Sequence, residues 1–301
     1  MSRITYIDAP CKSVLNRVEG MPFKWSINPY TGCAHACTYC YARAFYLKAE
    51  RGTAADFDRQ IYVKSNAPAV LRAELSRRTW KRDLVLIGAS TDPYQPAEGR
   101  FRLTRGILQA LCDARTPVSI ITKGPLILRD LDLLKELDRV AGLEVNVTIP
   151  TLDSEVSSRL EPATPPPAAR LEAVRRLNAA GITTGIFMAP ILPGLTDTEA
   201  SMRPLMEGAA RAGAPYVVPI PLRLGPGVRE WFLSHLSAQY PHLTREYSRL
   251  FQHTEPPDLY KRRVVGLARG ILQELGVANQ ACDMRRPPAD DPRVHQLRLS
   301  I

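Results

Sequence analysis

The sequence predicts an α/β fold in which a parallel sheet carries helices on its outer face. Three observations predict it. Short apolar runs of strand length occur six times and alternate with segments of helical spacing. The run Asp83-Leu84-Val85-Leu86-Ile87-Gly88 is apolar after its first residue, as a parallel strand buried on both faces must be. Polar loops rich in glycine and proline follow these runs, where the C-terminal ends of parallel strands would lie.

Residues 1–23 read as an irregular segment broken by Pro10, Gly20 and Pro22. The first strand is expected over 24–30 and the first helix from 41 to 48. Residues 49–66 read as a polar connection. Residues 68–78 return to helical spacing, with Leu71 and Leu75 on one face. The second strand is 83–88, and Thr104 is the expected N-cap of a helix that buries Ile107, Leu108 and Leu111. A strand over 117–123, a helix over 129–140 and a strand over 143–149 follow. Then come a helix over 168–180 with Gly181 as its C-cap, a strand over 182–188, a helix over 197–212 and a sixth strand over 216–220. Right-handed crossovers roll such a sheet toward a barrel, and six strands fall short of the eight that close one. From Arg223 the alternation stops, and Trp231-Phe232-Leu233 and residues 264–275 read as helices. Residues 24–222 are therefore expected to form the barrel, and 223–301 a helical C-terminal extension over its open side.

Composition narrows the function classes. The apolar fraction of 45% is that of a globular protein. The N-terminus lacks the apolar stretch of a signal peptide, and no apolar run is long enough to span a bilayer. The six cysteines show no paired disulfide pattern, so a reducing, cytoplasmic setting is expected. A net charge of +10 is compatible with a nucleic-acid partner and equally with a solvated basic surface.

The chemistry concentrates in Gly32-Cys33-Ala34-His35-Ala36-Cys37-Thr38-Tyr39-Cys40. Cys33, Cys37 and Cys40 lie within one short loop between a strand and a helix. Thiolates are soft ligands for iron–sulfur clusters, zinc or Cu(I). Three of them can hold three irons of a four-iron cluster and leave the fourth open. The alternative is a non-catalytic zinc-binding protein, with His35, Cys11 or Cys282 as fourth ligand, although the second spaced pair usual in structural zinc sites is missing.

The C-x-x-x-C-x-x-C spacing, with aromatic Tyr39 before the third cysteine, resembles that of the radical S-adenosylmethionine (radical SAM) superfamily. Asn28-Pro29-Tyr30-Thr31-Gly32-Cys33, Thr91-Asp92-Pro93-Tyr94-Gln95-Pro96, Thr122-Lys123, Arg129-Asp130-Leu131, Leu160-Glu161-Pro162 and Pro190-Ile191-Leu192-Pro193-Gly194-Leu195 are similar to its spore photoproduct lyase-like branch. The resemblance implies a partial (β/α)6 TIM-like barrel, a [4Fe-4S] cluster on Cys33, Cys37 and Cys40, and bound S-adenosyl-L-methionine. It implies reductive cleavage of that cofactor to a 5′-deoxyadenosyl radical, which abstracts hydrogen from a substrate. It also implies an electron donor of flavodoxin or ferredoxin type. Repair or modification of DNA or RNA is the alternative with the same cofactors.

S-adenosylmethionine needs acceptors for its ammonium, a cation near its carboxylate, polar groups at its ribose and an apolar wall for its adenine. Ser90, Thr91 and Asp92 are the candidate acceptors, Lys123 the cation, and Thr148 or Asn146 the ribose partner. Tyr39, Ile186 and Met188 are candidates for the adenine wall. Asp92-Pro93 also reads as a turn or helix N-cap, and Glu161 as an ion-pair partner of Arg159 or Arg170. In photoproduct lyases a cysteine in the loop after the second strand returns hydrogen to the product. This chain has Ala89 and Ser90 there.

Overall fold

The computed structural model describes residues 4–21, 23–49 and 52–279. The stretch expected to be irregular contains two strands, β1 (Thr5–Asp8) and β2 (Asn16–Arg17). They are followed by β3 (Trp25–Ile27), β4 (Tyr30–Thr31) and α1 (Ala42–Lys48). The polar connection contains β5 (Gln60–Val63) and leads to α2 (Ala67–Leu75) and β6 (Val85–Ile87).

Next come α3 (Pro96–Phe101), α4 (Leu103–Asp113), β7 (Val118–Thr122), α5 (Leu131–Ala141) and β8 (Leu143–Thr148). Thr104 does not cap α4. The helix starts one residue earlier, after Arg102 in the left-handed region, and the Thr104 hydroxyl donates to the Pro93 carbonyl. The chain continues through α6 (Ser154–Leu160), α7 (Pro167–Ala179), β9 (Thr184–Ile191), α8 (Glu199–Arg211) and β10 (Val217–Pro221). It ends in α9 (Val228–Gln239), α10 (Thr244–Leu250) and α11 (Asp258–Glu274). No helix among the described residues is long and apolar enough to cross a membrane.

The six anticipated strands β3, β6, β7, β8, β9 and β10 lie side by side in chain order, every neighbouring pair parallel. β2 adds antiparallel to β3 at one edge, and β10 forms the other, so the sheet is an open partial barrel. A second sheet, β1-β5-β4, stands beside the mouth. β4 and β5 are antiparallel and bracket the cysteine loop.

Alternation along each strand divides the two faces. Val118, Ile120, Val145, Val147, Ile186 and Met188 are buried in the large core with Leu108, Leu134, Leu177 and Met206 of the outer helices. The intervening residues face the inside. Ser119 pairs in register with Glu144, Ile121 with Asn146, Asn146 with Gly185, and Thr148 with Phe187. Gly185 is required there: a Cβ would lie 1.9 Å from the Tyr216 ring, whose hydroxyl donates to Asn146 Oδ1 (2.9 Å).

The extension closes the molecule in two places. α11 packs along α8 and β10. α9 and α10 contribute Val228, Phe232, Leu236 and Tyr247 to a separate apolar cluster, which also contains Cys37, Tyr39, Leu160 and Leu192.

Candidate active site

The cysteine loop leaves β4 at the C-terminal end of the barrel strands, and its turns are fixed by backbone demands. Gly32 has φ +86°, and a Cβ on it would meet the Gln60 and Phe57 carbonyl oxygens at 2.6 and 2.9 Å. Only glycine fits. The Cys33 N–H donates to Phe57 O (3.0 Å), and Ala36 sits in the left-handed region at φ 56°. The Gln95 side chain, from the loop after β6, accepts from Ala34 N (3.0 Å) and donates to Gly32 O (3.1 Å). Thr38 donates through N–H and hydroxyl to Leu160 O, after β8.

Arg43 anchors the far end of the loop. It is fully buried; its guanidinium donates to Cys37 O (3.2 Å), Asp58 Oδ1 (2.7 Å) and Ala54 O. It also lies over the rings of Phe57 and Trp231, the latter from α9. A lysine has neither the planar fork nor the reach to hold all of these.

Cys33 and Cys37 are buried, Cys40 is partly exposed, and all three are free thiols. Burial pushes the Cys37 thiol well above its ordinary value; Lys123 opposes this, and Glu161, Cys40 and Cys33 add to it. Burial and then Cys33 push Cys40 up to about 11. No group of three or more His, Cys, Asp or Glu side chains among the described residues converges closely enough to hold a metal ion. Three thiols on one loop are the donor type that iron–sulfur clusters take, and metal binding replaces the thiol protons.

Around the loop, the sequence candidates fall into two groups. Asp92 is engaged by protein on both oxygens. Oδ1 accepts from the Thr122 hydroxyl (2.6 Å) and Tyr94 N (2.8 Å); Oδ2 accepts from Lys123 N (2.6 Å) and faces His35 Nδ1 at 3.3 Å. Burial favours the neutral acid, but His35 and these donors outweigh it and hold Asp92 at about 2. Burial likewise disfavours a charged His35, yet Asp92 and Cys33 push it up to about 10. Asp92 thus pins the loops after β6 and β7 to the cysteine loop. Thr91 is also partly committed, since its hydroxyl donates to Tyr30 O (3.0 Å). Asn28 Oδ1 accepts the N–H groups of Ser90 (2.8 Å) and Thr91 (3.3 Å).

Lys123, Tyr39 and Thr148 lie on the inner side. Lys123 follows β7, with Nζ 3.5 Å from Glu161 Oε1 and 5.9 Å from the centre of the Tyr39 ring. The Tyr39 hydroxyl donates to the same Glu161 oxygen. Arg170 of α7 pairs with Glu161 Oε2 at 2.6 Å, and both side chains are fully buried. Burial opposes ionisation of Glu161, but Lys123 and Arg170 hold it below the usual carboxylate range. Thr148 ends β8 beside Phe187 in register, its own carbonyl accepting from Arg170 Nη1 (3.3 Å). Ile186 and Met188, candidates for an adenine wall, belong to the outer core. Phe187, Ala189 and Val218 are the partly exposed residues at alternating positions inside.

Sequence reasoning assigned no role to Asn28, Gln95 or Arg43, and it considered His35 only as a fourth zinc ligand. Each acts on a group distant in the chain, and only the proximity of Gln95 to Asp92-Pro93 hinted at its place.

The Radical SAM superfamily model matches residues 27–203, more than half of the chain. An uncharacterised protein of Mycobacterium tuberculosis is 41% identical over 252 residues, covering 83% of this chain and 74% of that protein. One of Methanocaldococcus jannaschii is 33% identical over 198 residues, covering 66% and 72%. Among solved structures, spore photoproduct lyase complexed with dinucleoside spore photoproduct aligns over 92% of this chain and 82% of its own, at a TM-score of 0.67 and 17% identity. A variant of that lyase with bound AdoMet and the same dinucleoside has a TM-score of 0.63. The fold is shared with these structures. With its cysteine loop at the mouth of an open six-stranded parallel barrel, this chain belongs to the radical SAM superfamily, whose enzymes use a [4Fe-4S] cluster and S-adenosyl-L-methionine.

Proposed function

We propose that Cys33, Cys37 and Cys40 hold the cluster of a radical SAM enzyme that abstracts hydrogen from a substrate at the barrel mouth. The observation that carries this reading is the loop itself: three free thiols, two buried and one partly exposed, on a loop pinned by bonds from Phe57 ahead of β5, Arg43 of α1, Gln95 after β6 and Leu160 at the end of α6. When bound, the cluster and S-adenosylmethionine supply a one-electron cleavage of the sulfonium that yields a carbon radical.

The remaining work falls to the chain. Lys123 presents a cation at the end of β7, held by Glu161 and available to a ligand carboxylate. Thr148 and Ser90 offer hydroxyls on the inner side. Tyr39, fixed by Glu161, presents its ring face beside the thiols. Phe232, Tyr247 and Leu192 seal the flank of Cys37 against water. A reductant of flavodoxin or ferredoxin type would deliver the electron.

The reading stops short of photoproduct repair. Cys112 is buried in the outer core, and Cys11 bonds to Asn66 at the start of α2; neither described thiol outside the cysteine loop stands at the mouth. A nucleic-acid substrate remains the second reading, supported by the net charge and by the dinucleoside bound in the structurally similar lyase.

The test is an iron and sulfide count on anaerobically reconstituted protein, followed by dithionite and S-adenosylmethionine and assay for 5′-deoxyadenosine. Four irons and cofactor cleavage, both lost in Cys37→Ala, are expected. Stoichiometric zinc with no cleavage would move the reading to a binding protein.

A further inference from the structure

At the opposite end of the barrel, where the parallel strands begin, Arg17, Glu19, Lys24, Trp25, Trp80 and Asp83 line a cavity of about 370 Å³, with Arg17 4.0 Å from Glu19 and Lys24 3.4 Å from Asp83. The Trp25 and Trp80 rings lie 5.7 Å apart and tilted by 60°. Both indole N–H groups are committed, Trp25 to Asp83 Oδ2 (3.3 Å) and Trp80 to Thr116 Oγ1 (3.1 Å). The rings are therefore held in place with their apolar surfaces partly exposed.

Beside this cavity runs Arg77-Arg78-Thr79-Trp80-Lys81-Arg82. Its four cations are exposed, and none lies within 4.0 Å of a carboxylate among the described residues. Arg105, Arg129, Arg139, Arg170, Arg175 and Arg203 all have carboxylate partners elsewhere in the fold. Exposed Arg115 lies one residue before Thr116. The site thus pairs a fixed aromatic surface with a row of uncompensated positive charge, on a chain of net charge +10.

That combination selects the ligand. Phosphates at regular spacing would meet the cations, and an unstacked base would meet the rings. An acidic peptide would satisfy only the cations. A duplex keeps its bases stacked and out of reach of a recessed pair of rings. An electron donor would dock a strand length from the cysteine loop, about 20 Å for a six-residue strand.

We propose that this floor of the barrel binds single-stranded nucleic acid, with a base against Trp25 and Trp80 and the backbone along Arg77, Arg78, Lys81 and Arg82. The inference goes beyond the radical reading and does not rest on it.

The test uses the full chain and a fluorescein-labelled 15-nucleotide oligothymidylate, read by anisotropy from 50 to 200 mM salt and by tryptophan emission. Saturable binding with quenched emission is expected. Arg77→Gln with Arg78→Gln should weaken binding and lower the salt slope by about 1.4, at about 0.7 per phosphate on a single strand. Trp80→Leu should weaken binding by about tenfold with the slope unchanged. Arg175→Gln with Arg211→Gln, exposed on the outer helices, should change neither. Equal loss in this control pair, equal competition by polyglutamate, absence of quenching, or tighter binding of a duplex of the same length would each overturn the proposal.

Discussion

Glu161→Gln removes one negative charge from a place where it faces two cations. Arg170 lies 2.6 Å from one carboxylate oxygen and Lys123 3.5 Å from the other, and the Arg170 and Glu161 side chains are wholly buried. Glutamine keeps an acceptor for the Tyr39 hydroxyl but turns an amide N–H toward one of the cations. Breaking a buried pair from one side costs about 3–5 kcal/mol, and the retained acceptor places this variant near the lower end. Total stabilities are about 5–15 kcal/mol, so urea unfolding of the apoprotein at pH 7 should resolve the loss easily. Adding Arg170→Met should recover part of it, because the orphaned charge is then gone. The pH dependence has a definite sign. The folded-state pKa of Glu161 is depressed below its ordinary 4.5, so its stabilisation is full above that value and is lost as pH falls through the lower folded pKa. The gap between wild type and Glu161→Gln should therefore narrow in acid. A loss below about 1 kcal/mol at pH 7, with an unchanged m value, would refute the argument that Glu161 is ionised in a buried pair with Arg170.

Three other variants probe different parts of the molecule. Gly185→Ala should lower the melting temperature by several degrees, since its Cβ would lie 1.9 Å from the Tyr216 ring and overpacking costs about 1–3 kcal/mol; combining it with Tyr216→Ala should relieve the clash, and an unchanged melting curve for Gly185→Ala alone would contradict the packing. Glu144 Oε1 accepts from Asn146 Nδ2 (2.9 Å), Oε2 is buried without a hydrogen bond, and burial raises the pKa against the opposing influence of Asn146 and the nearby Tyr216. A raised carboxylate pKa means that stability declines as pH rises from 4.5 through the folded value, so Glu144→Gln should be neutral or stabilising at pH 7, and a clear destabilisation there would count against it. Gln95→Leu leaves the Ala34 N–H and Gly32 carbonyl unpaired, at about 1–3 kcal/mol for each buried group; reconstituted protein should release iron to a chelator faster than wild type, with wild-type retention as the opposing result.

The parallel strands were legible because each carries Val, Leu or Ile at strand spacing and is bounded by turn residues, a signal that needs no help from distant residues. β1 and β5 were not, since Thr5–Asp8 buries little and pairs with Gln60–Val63 far along the chain. The short helices α3 and α6 follow Gln95 and Asp153 in segments that resemble turns. In the site, the cysteines stood out by spacing alone. The partners of Asp92 did not, because a carboxylate at a strand end looks the same whether it meets a ligand or, as here, Thr122, Lys123 N and His35. The inward and outward faces of β9 were also invisible: nothing in Ile186-Phe187-Met188 says which of the three looks inside.

The apolar cluster shared by Cys37, Tyr39, Leu222, Leu224, Phe232 and Tyr247 runs across the point where the strand-and-helix alternation ends. The superfamily match stops at residue 203, before most of that wall. A fragment cut after β10 would retain every barrel strand and all three cysteines, yet it would bare one side of them. For a thiol-bound cluster this is a matter of lifetime in air. In the proposed reading α9 and α10 shield the centre, so a chain cut after β10 and loaded with cluster should bleach in oxygen faster than the full chain.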